Sequence, residues 1–391
     1  MDLLGVLNLV LSIAIGLFLL VFLVVVHELG HAIVARRNGV VVEEFGIGFP
    51  PRAWGKKLDN GVLFTLNWLP LGGFVKLQGE HDAAHKKGDY GAASLWAKTK
   101  ILLAGVVVNW LVAVLIFTGL AVTGLPKFTG VIQNQFIVAS DVVEVKNPVT
   151  IGEVVSGSPA EKAGLKVGDQ ILRFDGEPVP EPGKLNELTL ANRGEQVEII
   201  YKRGNAEGSV KATLNANNAE KKGYLGVGPS QRTLTQSTWS APIVGVMTTY
   251  QLTEATFKSL GKTVADFGVG LASKLSFDGK TREAGGEKLD EVSSSVAGPI
   301  GILGVIFPAA REAGFSSLML LTGIISLTLA VMNALPIPAL DGGRWFVTML
   351  FRLAKKPLGK DLEERIHATG FMVLMGLVVL VTIADVAKLG R

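Results

Sequence analysis

Apolar residues in this chain fall into two kinds of pattern, long unbroken blocks and short alternating runs, and the two occupy different stretches. Residues 3–26, 101–125, 315–340 and 368–384 contain no charged side chain. A membrane-crossing helix needs about 20 apolar residues, so all four blocks predict spans, 368–384 being the shortest. Pro336 and Pro338 interrupt the third block near its end. Between residues 128 and 230 the runs VTIGEVV, DQILRFDG, EQVEIIYKR and GYLGVGP alternate with turn-forming residues, which predicts short strands. Among them Ser158-Pro159 opens a short helix over residues 160–163, Gly164 ends it, and Gly168-Asp169 turns into a strand over 170–174. From 241 to 275 apolar residues recur at helical spacing (Val244, Met247, Tyr250, Val264, Phe267, Leu271). That spacing predicts an amphipathic helix, lying along the outer membrane surface or packed on the β-rich domain. Residues 276–295, SFDGKTREAGGEKLDEVSSS, read as an exposed linker or mobile loop.

The predicted fold class is therefore an α-helical polytopic membrane protein with four core transmembrane helices and an inserted β-rich domain. The expected divisions are 1–127 (a membrane half with a cytoplasmic β-loop at about 40–96), 128–230 (the β-rich domain), 231–314 (amphipathic helix and linker) and 315–391 (the second membrane half). Composition supports a membrane protein, with 48% of residues apolar and 18% charged. Cysteine is absent, which excludes a disulfide framework and thiolate chemistry. The formal charge of +4 is small, and the basic residues form no amphipathic stripe, so a nucleic-acid partner is not expected. The first block lacks a basic leader and a small-residue cleavage site, and reads as a retained span rather than a signal peptide. Lys and Arg crowd the loops 36–100 and 344–365, from Arg36 and Arg37 to Lys100 and from Arg344 to Arg365. Both loops should face the cytoplasm, placing the termini and residues 126–314 outside.

Candidate chemistry sits where the first block ends, in HELGH. His27 and His31 are four residues apart, hence on one helix face, and two neutral imidazoles so placed can hold one zinc ion. Glu28 is placed as general base toward a water that such a metal polarises. Gly30 lets another element approach the helix closely. Ionisable residues at membrane depth are costly and mark function. A third ligand is required. Arg37 stands where a metzincin would have a third histidine. Glu43 and Glu44 are too close in sequence, Glu80 is formally open, and Asp341 in NALPIPALDGGR is the better candidate because it too follows a span on the predicted cytoplasmic side. Pro336 and Pro338 should break the helix, and Gly342-Gly343 permits a tight turn. His81 and His85 read as solvated loop residues and His367 as an interfacial one.

HELGH in the first span with N-x-x-P-x-P-x-L-D-G-G in a later one (Asn333 to Gly343) resembles the site-2 protease family of intramembrane zinc metalloproteases. EFGIGFPPR, LPLGGFVKLQGE, Gly105 with Asn109, and AGPIGI at 297–302 are similar to further features of that family, and 152–179 resembles a bacterial PDZ domain. The resemblance implies that His27, His31 and Asp341 bind Zn2+, that Glu28 is the general base, and that Asn333 contacts the substrate backbone, with Gly72, Gly73 and Asn109 as further substrate-binding candidates. The segment 69–78 would hold the unwound substrate as an added strand. It implies intramembrane hydrolysis of single-span membrane proteins, of the anti-sigma-factor or signal-peptide-remnant type. The setting would be a bacterial inner membrane, with the active site near the cytoplasmic side and the PDZ domain outside. Two other readings stand beside it: a membrane-anchored zincin that cuts loop or soluble peptides, and a non-catalytic PDZ membrane scaffold.

Overall fold

The computed structural model describes residues 3–128, 130–218, 223–276, 278–295 and 298–389. In chain order the elements are helix α1 (Leu3–Arg37), strands β1 (Val42–Lys57) and β2 (Leu63–Leu77), and helix α2 (Leu95–Thr123). A β-rich stretch follows: β3 (Leu125–Pro126), β4 (Val143–Lys146), β5 (Thr150–Val154), α3 (Pro159–Lys162), β6 (Gln170–Phe174), β7 (Glu177–Pro178), α4 (Pro182–Ala191), β8 (Gln196–Arg203), β9 (Ala206–Thr213), β10 (Val227–Ser230) and β11 (Thr233–Gln236). The chain then returns to helix: α5 (Ala241–Lys274), α6 (Gly279–Ser295), α7 (Pro299–Gly301), a π-helical turn (Ile302–Ile306), α8 (Phe307–Glu312), α9 (Phe315–Ala334), α10 (Asp341–Leu353) and α11 (Lys360–Leu389). Two compact units result. One is helical (3–120, 130–136, 241–389) and one is β-rich (121–128, 137–240). The fold class is the predicted one, a polytopic helical membrane protein with an inserted β-rich unit.

In the helical unit α1, α2, α9 and α11 are long and apolar enough to cross a membrane. The third span ends at Ala334, six residues short of the apolar block, because Pro336 and Pro338 supply no N–H to continue it. Helices surrounded by lipid gain little from burying apolar surface against each other, so close approach at small residues holds them. A Cβ on Gly30 of α1 would fall 2.9 Å from Val108 Cγ2 and 3.0 Å from the Ala104 carbonyl oxygen, both on α2. Gly16 seats the Phe307 ring, and Gly323 of α9 seats Ile116 and Phe117 of α2. Asp385 of α11 is 4% exposed, and its carboxylate accepts the N–H groups of Gly298 (3.1 Å) and Gly301 (2.7 Å). A side chain on Gly298 would collide with that carboxylate, which accounts for both glycines of AGPIGI. Ala297 of the same motif lies outside the described residues.

Two expectations for residues 241–295 change. The first half of α5 packs on α2 within the helical unit. Gly245 sits against Thr118 of α2, Trp110 Nε1 donates to Thr253 Oγ1 at 3.2 Å, and Val244, Thr248, Thr249 and Leu252 are buried. Residues 279–295, expected as linker or loop, form α6 instead. Gly285 approaches the backbone of Gly270 and Lys274 on α5 too closely to carry a side chain, and Leu289 covers Gly270. Low apolar content hid this helix, since two glycines and one leucine are enough to close a helical hairpin when backbones touch. Phe277 lies outside the described residues.

Strands β1 and β2 bend back on themselves, so Phe45 pairs with both Phe64 and Val75, and Gly46 with both Thr65 and Phe74. The register orders the segments 52–57, 63–67, 42–47 and 73–77. Among the described residues, 73–77 is therefore an edge.

In the β-rich unit a six-stranded sheet runs β10-β5-β6-β8-β9, with β7 on β6, beside a three-stranded sheet β3-β11-β4. Its core gathers Ile151, Ile171, Phe174, Leu185, Val197 and Ile199. Val197 and Ile199 point in while Glu198 points out, the two-residue period of a half-buried strand. Arg203 grips the Asp169 carboxylate with two 2.7 Å hydrogen bonds. Asp141 accepts from the N–H and hydroxyl groups of both Thr238 and Ser240 (2.5–2.9 Å). Burial pushes the Asp141 carboxyl up, but these four donors outweigh it and hold it at about 2, below the ordinary range. A depressed carboxylate stabilises fully above its unfolded value and is lost as pH falls through its folded one. The turn at 238–240 should therefore stay pinned down to about pH 4 and release toward pH 2. Asp141→Ala should show the released state already at neutral pH, as a lower melting temperature followed through Trp239 fluorescence. An unchanged melt would count against the pin.

Candidate metal centre

His27 and His31 lie one turn apart in the C-terminal third of α1 and are 5% and 6% exposed. The turn 335–340 brings Asp341 to them. Ala339 there adopts φ +82°, a left-handed conformation that costs about 1–2 kcal/mol in a residue with a Cβ. Its N–H is held by His367 Nδ1 at 3.2 Å. The sequence permits a tight turn at Gly342 and Gly343. They are instead helical, in the first turn of α10, where side chains would overlap the Ala334 and Ile337 carbonyls. Small size, not turn geometry, is what this position requires. Asp341 Oδ2 stands 3.0 Å from His27 Nε2 and 3.2 Å from His31 Nε2, and the two Nε2 atoms are 3.1 Å apart. Burial alone would raise the Asp341 carboxyl, but hydrogen bonds from His27 and His31 hold it well below the usual carboxylate range. The other carboxylate left open by the sequence, Glu80, is engaged elsewhere, 2.6 Å from Arg344 Nη1.

Helix α2 forms the wall behind the histidines through Ile101, Gly105 and Asn109, spaced four apart and so on one face. His31 Nδ1 donates to the Ile101 carbonyl at 2.7 Å. A Cβ on Gly105 would fall 2.5 Å from both His27 Cε1 and His31 Nε2, so only glycine leaves room for the two rings. Asn109 is fully buried, with Nδ2 at 3.4 Å from His27 Nδ1.

A cavity of about 430 Å3 opens in front of the triad, lined by Glu28, Asp341, Phe74 and Val75 at one end and by Glu80, Tyr90, Arg344, Glu363 and His367 at the other. The Tyr90 hydroxyl, Arg344 Nε, Glu363 Oε1, His81 Nδ1 and His367 Nε2 are buried there without a hydrogen-bond partner, a lining that suits water or peptide groups rather than acyl chains. The Arg344 guanidinium lies 4.9 Å from the Tyr90 ring and the Lys98 ammonium 5.4 Å from it. Lys98 is ion-paired to Asp82, and Glu363 Oε2 accepts from the Asp82 N–H at 2.8 Å. Burial opposes the charge on Arg344, but Glu80, Tyr90 and Glu363 raise it above its ordinary value, so it stays a cation. Burial pushes the Tyr90 phenol up, so it stays neutral. Sequence reasoning missed this network and read His81 and His367 as peripheral. No spacing rule connects residue 80 to residues 344 and 363.

Other candidates fall around the triad. A Cβ on Gly73 would come 3.7 Å from Glu28 Cγ, and Gly72, at φ +103°, packs under Phe49 and near Val24. Asn333 is half-buried in the last turn of α9, and among the described residues no hydrogen bond to its side chain is seen.

The donor set fits zinc. Tetrahedral zinc with bonds of about 2.0–2.1 Å to nitrogen and oxygen has ligand–ligand edges of about 3.3 Å, close to the triangle of 3.0–3.2 Å formed here. Among the described residues it is the one cluster of this kind, and the glycine at 105 leaves it uncrowded. Two histidines and a carboxylate leave a fourth position for a water or substrate oxygen, and Glu28 lies on the same turn as His27 and His31, at the cavity. Such a donor set with a neighbouring glutamate is the kind that zinc metalloproteases use. A model of peptidase family M50 matches residues 15–377. A Clostridium perfringens protein named "Putative zinc metalloprotease" is 33% identical over 367 residues, covering 93% of this chain and 95% of its own. "Zinc metalloprotease RasP" of Geobacillus kaustophilus is 26% identical, covering 95% and 97%, and "Regulator of sigma-W protease RasP" of Bacillus subtilis is 24% identical, covering 95% and 98%. A PDZ domain from Listeria monocytogenes overlaps 21% of this chain at 23% identity with a TM-score of 0.19, too slight a match to bear on the fold. The chain belongs to peptidase family M50, the site-2 protease family.

His27, His31 and Asp341 would hold the zinc, which when bound there would supply the Lewis acidity that brings a water toward ionisation near neutral pH. Gly105→Ala should leave a folded protein whose zinc content falls at least tenfold, measured by elemental analysis of detergent-purified protein. Full occupancy in that variant would mean that the rings do not need the space.

Proposed function

We propose that the protein is an intramembrane endopeptidase that hydrolyses peptide bonds in or near the membrane segments of single-span membrane proteins. The observation that carries this reading is the triad's place at the end of an apolar span, with the edge segment 73–77 beside Glu28 on the same cavity. A helical peptide bond is shielded by its own turn. A substrate laid along 73–77 would be extended, with its backbone paired to that edge and its carbonyl presented between the triad and Glu28. Glu28 then takes the proton of the attacking water and passes it to the leaving amine. Asn333, Gly72 and Gly73 are assigned to substrate positioning, the glycines by letting the edge lie close to α1.

Sidedness follows from the Lys and Arg of loops 36–100 and 344–365. The active site faces the cytoplasmic side of a bacterial inner membrane, and the PDZ-like β-rich unit lies outside, where it sieves bulky ectodomains. The name of the Bacillus relative, a regulator of sigma-W protease, favours anti-sigma-factor substrates for this chain. Signal-peptide remnants fit the same geometry.

Glu28→Gln should keep zinc and fold while abolishing turnover. Membrane proteomes of cells carrying this variant should accumulate single-span fragments that wild-type cells clear. Accumulation of soluble or loop peptides alone would point instead to a membrane-anchored zincin, and no difference to a scaffold.

A further inference from the structure

The wall of α2 behind the histidines contains a mismatch that points to a role for Asn109. His27 offers Nε2 to the triangle with Asp341 and His31. A neutral imidazole that ligates through Nε2 carries its proton on Nδ1, which is then a donor. The group facing Nδ1 at 3.4 Å is the Asn109 amide nitrogen, also a donor, while Asn109 Oδ1 is buried with no hydrogen-bond partner. The two ends of an amide are exchanged by a half-turn that moves no other heavy atom, and the hydrogen-bond network decides between them. With the amide turned, Oδ1 accepts from His27 Nδ1–H and the orphaned oxygen gains the partner it lacks.

We propose that Asn109 is a positioning residue for zinc, its side-chain oxygen holding His27 in the Nδ1-protonated tautomer that points the Nε2 lone pair at the metal. The Ile101 carbonyl performs the same service for His31, so both ligand tautomers are set from one face of α2. Asn109 is 0% exposed and is not among the residues lining the cavity, which separates it from the substrate. Ser326 Oγ of α9 donates to the Asn109 backbone carbonyl at 2.8 Å and does not touch the side-chain amide. Such outer partners typically contribute 10–100-fold to metal affinity.

The inference rests on the zinc site itself, whose failure would appear as wild-type protein that binds no zinc. Zinc affinity of the detergent-solubilised full chain is measured by chelator competition for wild type, Asn109→Leu, Asn109→Asp and Ser326→Ala. Asn109→Leu keeps the bulk and loses the acceptor, so affinity should fall 10–100-fold. Asn109→Asp keeps an acceptor and should stay within a few-fold of wild type, and Ser326→Ala, which leaves the amide in place, should do likewise. Wild-type affinity in Asn109→Leu, or equal losses in the Leu and Asp variants, would overturn the proposal. A measurement on the wild type alone guards against misfolded variants. In zinc-loaded protein labelled with 15N-histidine, His27 should be protonated at Nδ1, with that proton protected from exchange with solvent. Protonation at Nε2, or an unprotected Nδ1 proton, would overturn the assignment.

Discussion

Two imidazole nitrogens and a carboxylate oxygen brought within 3.0–3.2 Å of one another inside an apolar helical bundle set the terms for everything around them. Buried polar groups in a poorly hydrating surrounding are costly unless each is paired, so the bundle must deliver partners as well as ligands. It does so by removing side chains. Gly30 lets α2 close on α1, Gly105 clears space for both rings, and Gly342 and Gly343 let α10 start directly under the end of α9. The donor set can converge because these positions are bare.

The cavity in front of the triad follows the same rule at larger scale. Where the helices part, the lining changes from apolar to a set of interlocked charges around Tyr90, Arg344, Glu80 and Glu363. Arg344 is three residues past Asp341, so one short helix places a metal ligand at one end of the cavity and a cation at the other. The loop after β2 and the first turns of α11 meet on that cation, which ties the segment before α2 to the last span without any apolar contact being needed.

The sequence made some of this legible and hid the rest for physical reasons. Four spans, the β-rich insert, HELGH and the approach of Asp341 could be read because each is a local signal: an uninterrupted apolar block, a two-residue alternation, a four-residue spacing, a pair of prolines. The wall contributed by Ile101 was invisible, since a backbone carbonyl has no side-chain signature. Asn109 could be noticed, but its full burial against His27 could not be anticipated. Residues 279–295 looked like a loop because their composition is polar, and only the bare backbones at Gly270 and Gly285 explain the hairpin. His367 looked peripheral because its partner, the Ala339 N–H, belongs to an irregular turn outside its own helix.

Asp385 carries a consequence for how the protein is made. Its carboxylate is satisfied by N–H groups 87 and 84 residues earlier in the chain, in a turn that is synthesised first and waits with two donors free. The helix bearing the acid is synthesised later, and an isolated apolar helix with a carboxylate near its end inserts at a penalty. The two costs cancel when they meet: α11 carries its carboxylate against two donors, and the turn gains the acceptor it lacked. Until α11 is in place, two N–H groups made well before it stay uncapped, so this half of the molecule closes late in synthesis.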